Sequence, residues 1–115
     1  MTVEKFYELI GGDYAGTKGR LMADEGIIRF VNKFPADGSY QLLLDSIAAG
    51  NVEEAFRAAH TIKGVAQNLG FTQLFTVAEE VTEILRAGSL AVEAKMPKLT
   101  EKYNATIDAI AMLNA

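Results

Sequence analysis

The chain holds a single histidine, His60, inside the stretch FRAAHTIKGVAQNLGF at residues 56–71. Laid on a helix at about 100° per residue, the segment gathers Ala55, Ala58, Ala59, Ile62, Val65, Ala66 and Leu69 on one apolar face. His60 falls roughly 160° from Ile62 by the same arithmetic, flanked by Lys63, Gly64 and Gln67, and is expected to face water. Lys63, at i+3, lies beside the imidazole, where its charge favours the neutral ring. A neutral ring carries the free lone pair that a nucleophile or a metal ligand needs. The same ammonium would stabilise an anion placed on that nitrogen. Gly64 gives up about 1 kcal/mol of helix propensity relative to alanine, and it leaves bare surface beside the imidazole for close approach. A nucleophile, a cation and bare ground on one helix face imply phosphoryl transfer between proteins.

A helix that presents His60 this way needs partners for its apolar face, and the rest of the chain supplies helices. Val3, Phe6, Tyr7 and Ile10 have helical spacing over residues 2–10, and Gly11-Gly12 ends that run. Asp13 is placed to cap a second short helix, weakened by Gly16 and Gly19. Asp24 is expected to cap a third, with Ile27, Phe30, Val31 and Phe34 on its apolar face and Pro35 as its stop. Asp37 or Ser39 begins the next, striped by Tyr40, Leu43, Leu44 and Ile47. Asn51 caps the histidine helix, Glu53 and Glu54 suit its first turn, and Gly70 closes it.

Thr72 is expected to cap the following helix, 73–87, whose core face is Leu74, Val77, Ala78, Val81, Ile84 and Leu85. Its opposite face carries Phe75, Glu79, Thr82, Glu83 and Arg86, with the two glutamates read as solvated. The last helix spaces Val92, Met96, Leu99, Tyr103, Thr106, Ile110 and Leu113 alternately four and three apart, a seam suited to shallow-angle bundle packing. Pro97 implies a kink or a helix start. No strand alternation appears, so the expected architecture is all-α. Phe56 and Phe75, large rings on the polar faces of adjacent helices, break the binary pattern. An apolar group rimmed by charge marks a protein-binding patch, and both rings are expected to dock a partner.

Composition narrows the classes of function. The 115 residues make one domain with room for a single core. There is no cysteine, which removes disulfides, thiol catalysis and thiolate metal sites. One histidine cannot build a His-rich metal centre, and no Glu-x-x-His motif occurs. A net charge of −4 argues against nucleic acid, which calls for a basic face. No apolar run approaches the length of a membrane span. The start, MTVEKFYELI, is acidic where a signal peptide would be basic, so a soluble, cytoplasmic protein is expected; it is also expected to be a monomer.

The stretch resembles the histidine phosphotransfer (HPt) domain of phosphorelays. The likeness is carried by A-H-T-I-K-G at 59–64, N-L-G at 68–70, Leu74, Ala78, Leu85 and Arg86-Ala87-Gly88. It extends more loosely to the N-terminal G-G-D and to the R-x-x-x-K-F ahead of Pro35. The resemblance implies an antiparallel four-helix bundle over about residues 24–114, with short N-terminal helices over about 2–34. It implies His60 as the phosphorylated residue, Lys63 as the activating lysine and Gly64 as the permissive glycine. Receiver domains would be the partners. Mg²⁺ would sit on the receiver, and the chain itself would hold no cofactor and no metal. Many relatives carry a glutamine, and chemotaxis kinase phosphotransfer domains a glutamate, where this chain has Thr82. That departure leaves the second imidazole nitrogen without an assigned partner, a part open to Gln67 or water. Arg86 matches a position where some relatives carry a basic residue near the phosphohistidine. The chain shows no Walker-A loop, no kinase ATP-binding signature and no acidic receiver pocket, so it is expected to be a carrier and not a kinase. The competing readings are the phosphoacceptor domain of a chemotaxis-type kinase and a helical interaction module without transfer.

Overall fold

The computed structural model describes residues 1–115, and its regular elements are all helical. They run α1 (Val3–Ile10), α2 (Tyr14–Leu21), α3 (Asp24–Val31), a 3-10 turn (Phe34–Ala36), α4 (Ser39–Ala48), α5 (Val52–Leu69), α6 (Thr72–Arg86) and α7 (Met96–Leu113). Helices α4 to α7 form an antiparallel four-helix bundle, and α1 to α3 pack on it, α1 against α7 and α3 against α5. Tyr40 of α4 closes the bundle on α7, stacking on Tyr103 at 4.0 Å and donating to Thr100 Oγ1 at 2.8 Å. No helix is long and apolar enough to cross a membrane.

The histidine helix α5 forms for the local reasons its sequence offers. Asn51 accepts from the Glu54 amide at 3.1 Å, Glu53 and Glu54 occupy the first turn, and Gly70 ends the helix in the left-handed region at φ 73°. Its buried face is Ala55, Ala58, Ala59, Ile62, Ala66 and Leu69, while Val65 is only half-buried. Four alanines in that face let neighbouring backbones come close. The buried face of α6 is Leu74, Val77, Ala78, Val81, Thr82 and Leu85, turned slightly from the expected one: Thr82 is buried and Ile84 is only half-buried against the core.

Thr82 is the clearest correction. It is 0% exposed and donates to its own helix at Ala78 O, 2.6 Å away, so it lies in the core and not on the polar face. Its methyl packs like a small apolar side chain, and its hydroxyl is satisfied within the helix. Two expected caps are also absent. Phe71 and not Thr72 stands at the N-cap of α6, because its ring is anchored against Phe6 and Phe34 in the core. Asp24 lies inside the first turn of α3, where its carboxylate accepts from the Tyr14 hydroxyl at 2.7 Å and pairs with Lys18, tying α2 to α3. Phe30, assigned to the apolar face of α3, is exposed, with Lys33 over its ring at 5.3 Å. Pro97 marks a helix start.

The C-terminal end of α5 is held by residues far away in sequence. The last carbonyls of a helix have no partner within it, and here the N-terminal segment supplies them. Tyr7 donates its hydroxyl to Leu69 O at 2.7 Å, and the Thr17 hydroxyl lies 3.2 Å from the same oxygen. Arg20 donates to Asn68 O at 2.9 Å and to Gln67 O at 3.4 Å, and the Asp13 amide donates to Gly70 O at 2.9 Å. The Arg20 guanidinium also sits at the negative end of the helix dipole. These bonds explain why α2 forms despite Gly16 and Gly19: Asp13 caps it, and Thr17 and Arg20 fasten it to α5.

Tyr7→Phe should therefore cost about 1 kcal/mol, the net worth of one hydrogen bond, read as a melting temperature lower by on the order of 4 °C. Burial pushes the Tyr7 phenol up to about 12. Its share of the stability is then complete below pH 10 and is lost as pH rises from about 10 to about 12, where the unfolded phenol ionises first. The phenylalanine variant should show a shallower alkaline decline in a pH series of thermal melts.

Candidate functional site

His60 lies midway along α5 and is exposed. Neither imidazole nitrogen takes part in a side-chain hydrogen bond; the neighbouring bonds run from Arg57 to Glu54 and from Thr61 to Arg57 O. Its ring lies against Phe56, one turn earlier, with centroids 5.7 Å apart and planes 13° from parallel. The Arg86 guanidinium carbon, from the last turn of α6, stands 5.0 Å from the centroid of the same phenylalanine. Phe56 is thereby half-buried, more covered than its place on the polar face implies.

Lys63 is also more covered than a plain surface lysine. Its side chain is 20% exposed, and its ammonium lies 3.9 Å from Glu79 Oε2 on α6. Arg86 pairs with Glu83 at 3.2 Å. Glu79 and Glu83, expected only to solvate a face, each hold one of the two cations near the histidine. Pairs this exposed contribute about 0–1 kcal/mol, so the cations are placed without being locked.

Gly64 has open space around it: a Cβ there would meet no atom within 4 Å. The glycine therefore serves no packing inside the chain, and its backbone is not in the left-handed region. Helical side chains lean toward the N-terminus, over the residue one turn earlier. Position 64 is thus the one whose side chain would overhang His60.

Gln67 is exposed and borders a shallow hollow with Asp13, Arg20, Thr72 and Phe75. Phe75 is half-buried there beside α2, so it offers an edge and not a whole ring. The structure gathers His60, Phe56, Lys63, Gly64 and Gln67 on one side of α5, joined by Phe75, Glu79, Glu83 and Arg86 from α6. Thr82 is not among them. The Glu83–Arg86 pair was visible as i, i+3 spacing, whereas Lys63–Glu79 needs the register of two helices. No group of three or more His, Cys, Asp or Glu is arranged to hold a metal ion. The site offers one lone-pair nucleophile, cations beside it and unobstructed approach.

The model of one protein family, the Hpt domain, matches residues 37–111, well over half of the chain and every α5 and α6 side chain named above. Nothing among curated proteins or solved structures matches.

Proposed function

This chain belongs to the Hpt domain family, and on that premise we propose that it relays a phosphoryl group between receiver-domain aspartates through His60. The family role is histidine phosphotransfer within phosphorelays, by phosphocarriers that have no kinase activity and that meet receiver domains. For this chain, the observation that carries the reading is an exposed histidine followed one turn later by a glycine, where an added Cβ would meet nothing within 4 Å beyond its own helix backbone.

The step is an in-line displacement. A lone pair on one imidazole nitrogen attacks phosphorus while the acyl oxygen–phosphorus bond breaks. The receiver's aspartate leaves as carboxylate, and the imidazole keeps its proton on the other nitrogen. Charge spreads over the equatorial oxygens, where Lys63 contributes part of the stabilisation. Mg²⁺ belongs to the receiver in this scheme, and the chain brings no cofactor. The reverse step passes the group to a second receiver. The docking face surrounds His60, with Gln67, Phe75, Arg86 and the free edge of Phe56 at its border. In this reading the carrier acts as a cytoplasmic monomer.

Incubation with a receiver domain labelled on its aspartate tests the reading: label should move to the chain in acid-labile, base-stable form. Label that stays on the receiver under every pairing would refute it. Gly64 gives a second test. Gly64→Ala should add about 1 kcal/mol of helix propensity. Gly64→Gln should instead slow transfer at least several-fold with the melting temperature kept, because its side chain leans over the imidazole. Normal transfer by the glutamine variant would show that the bare ground has no part in docking.

A further inference from the structure

We infer that Phe56 is a positioning residue for the His60 nucleophile, its ring being the platform that holds the exposed imidazole in one orientation. The inference rests on the proposed transfer through His60.

A nucleophile is ordinarily oriented by a third group that hydrogen-bonds it. Here the following helix offers no such group: no side-chain hydrogen bond reaches the imidazole, and Thr82 is buried and donates to Ala78 O. What touches the imidazole is a ring. The near-parallel geometry of Phe56 and His60 follows from the lean of helical side chains, which lays residue 60 back over residue 56.

Phe56 is itself restrained. It packs against the core cluster, and Arg86 stands over its ring while held by Glu83. The packing of Phe56 on the core is the restraint, and Arg86, placed but not locked by Glu83, covers the ring from the end of α6. Position 64 leaves the opposite side of the imidazole open. One side of the nucleophile is supported and the other is free.

Orientation matters because the donor arrives fixed. A phosphoaspartate in a docked receiver cannot follow a wandering imidazole among its staggered rotamers, and in-line attack needs the lone pair aimed at phosphorus. Selecting one rotamer is worth about 3–10-fold in the saturated rate on that reasoning. A freely diffusing donor gains nothing from it.

The test compares Phe56→Leu, Phe56→Met and Phe56→Tyr in single-turnover transfer from an isolated receiver domain of the same organism, charged with acetyl phosphate. The saturated rate should fall about 3–10-fold in the Leu and Met variants and return with Tyr. The His60 ring protons should move in NMR spectra as the Phe56 ring current is lost, and move back with Tyr. Labelling by phosphoramidate, a small donor that needs no docking, should stay at the wild-type rate. Equal saturated rates in wild type and the Leu and Met variants overturn the inference, including the case where only half-saturation rises and the ring proves to be a docking contact. Equal slowing by all three variants with a lowered melting temperature overturns it as well, in favour of packing. So does equal slowing with phosphoramidate, which would mean altered nucleophilicity. A wild type that takes no label from any phospho-receiver defeats the transfer reading, and this inference with it.

Discussion

His60→Gln is expected to acquire no acid-labile, base-stable label from a phosphorylated receiver domain. The chain has one histidine, so no second imidazole can substitute. Phosphate on an imidazole nitrogen survives base and is lost in acid, whereas carboxyl phosphates are lost in base, so the lability of the label identifies the atom that carries it. Glutamine cannot form the imidazole–phosphorus bond, and the effect should be total and not graded. His60 is exposed and makes no side-chain hydrogen bond, so its replacement should leave stability within about 0.5 kcal/mol. Loss of label with an unchanged melt locates the chemistry at this side chain. Retained acid-labile label would remove His60 from the mechanism.

Lys63→Ala should slow single-turnover transfer by roughly 10–100-fold, corresponding to loss of a charge-assisted contact of about 1.5–3 kcal/mol at most. The fold should persist, because the ion pair broken with Glu79 is partly exposed, at 49% for the glutamate side chain, and such pairs contribute little. Glu79→Gln separates the two roles of the lysine. If the ammonium serves the transferred group, releasing it from Glu79 should leave the rate equal or higher. If the lysine only neutralises Glu79, the alanine variant should transfer at the wild-type rate, and the assigned role falls.

The histidine helix was legible in the sequence because its determinants are local. Asn51, the alanine face, the place of His60 opposite Ile62 and the closing Gly70 all depend on neighbours within one turn or two. Thr82 was misplaced because a helical wheel centres the apolar arc on residue type alone, whereas packing against α5 turns the buried face of α6 toward Thr82 and leaves Ile84 half-buried. Thr72 and Asp24 have the residue types of caps. Tertiary anchors overruled them: the Phe71 ring in the core for one, Tyr14 and Lys18 for the other. Phe56 and Phe75 stand out in the sequence as exceptions to the pattern, yet both are half-buried, and how much of each ring is covered depends on Arg86 and on α2. The bonds from Tyr7, Thr17 and Arg20 to the end of α5 span about fifty to sixty residues, and no local pattern announces them.

Those bonds bear on where the molecule can be divided. The stretch that recurs as a family begins at residue 37, but the atoms that finish the histidine helix come from residues 7, 13, 17 and 20. A graft cut at the recurring boundary would carry the nucleophile, the lysine and the glycine intact. It would leave the carbonyls of residues 67–70 facing a vacated surface, next to the uncovered ring of Phe71. A chimera that borrows this histidine helix must therefore borrow the first two helices too, although neither contributes a group to the chemistry.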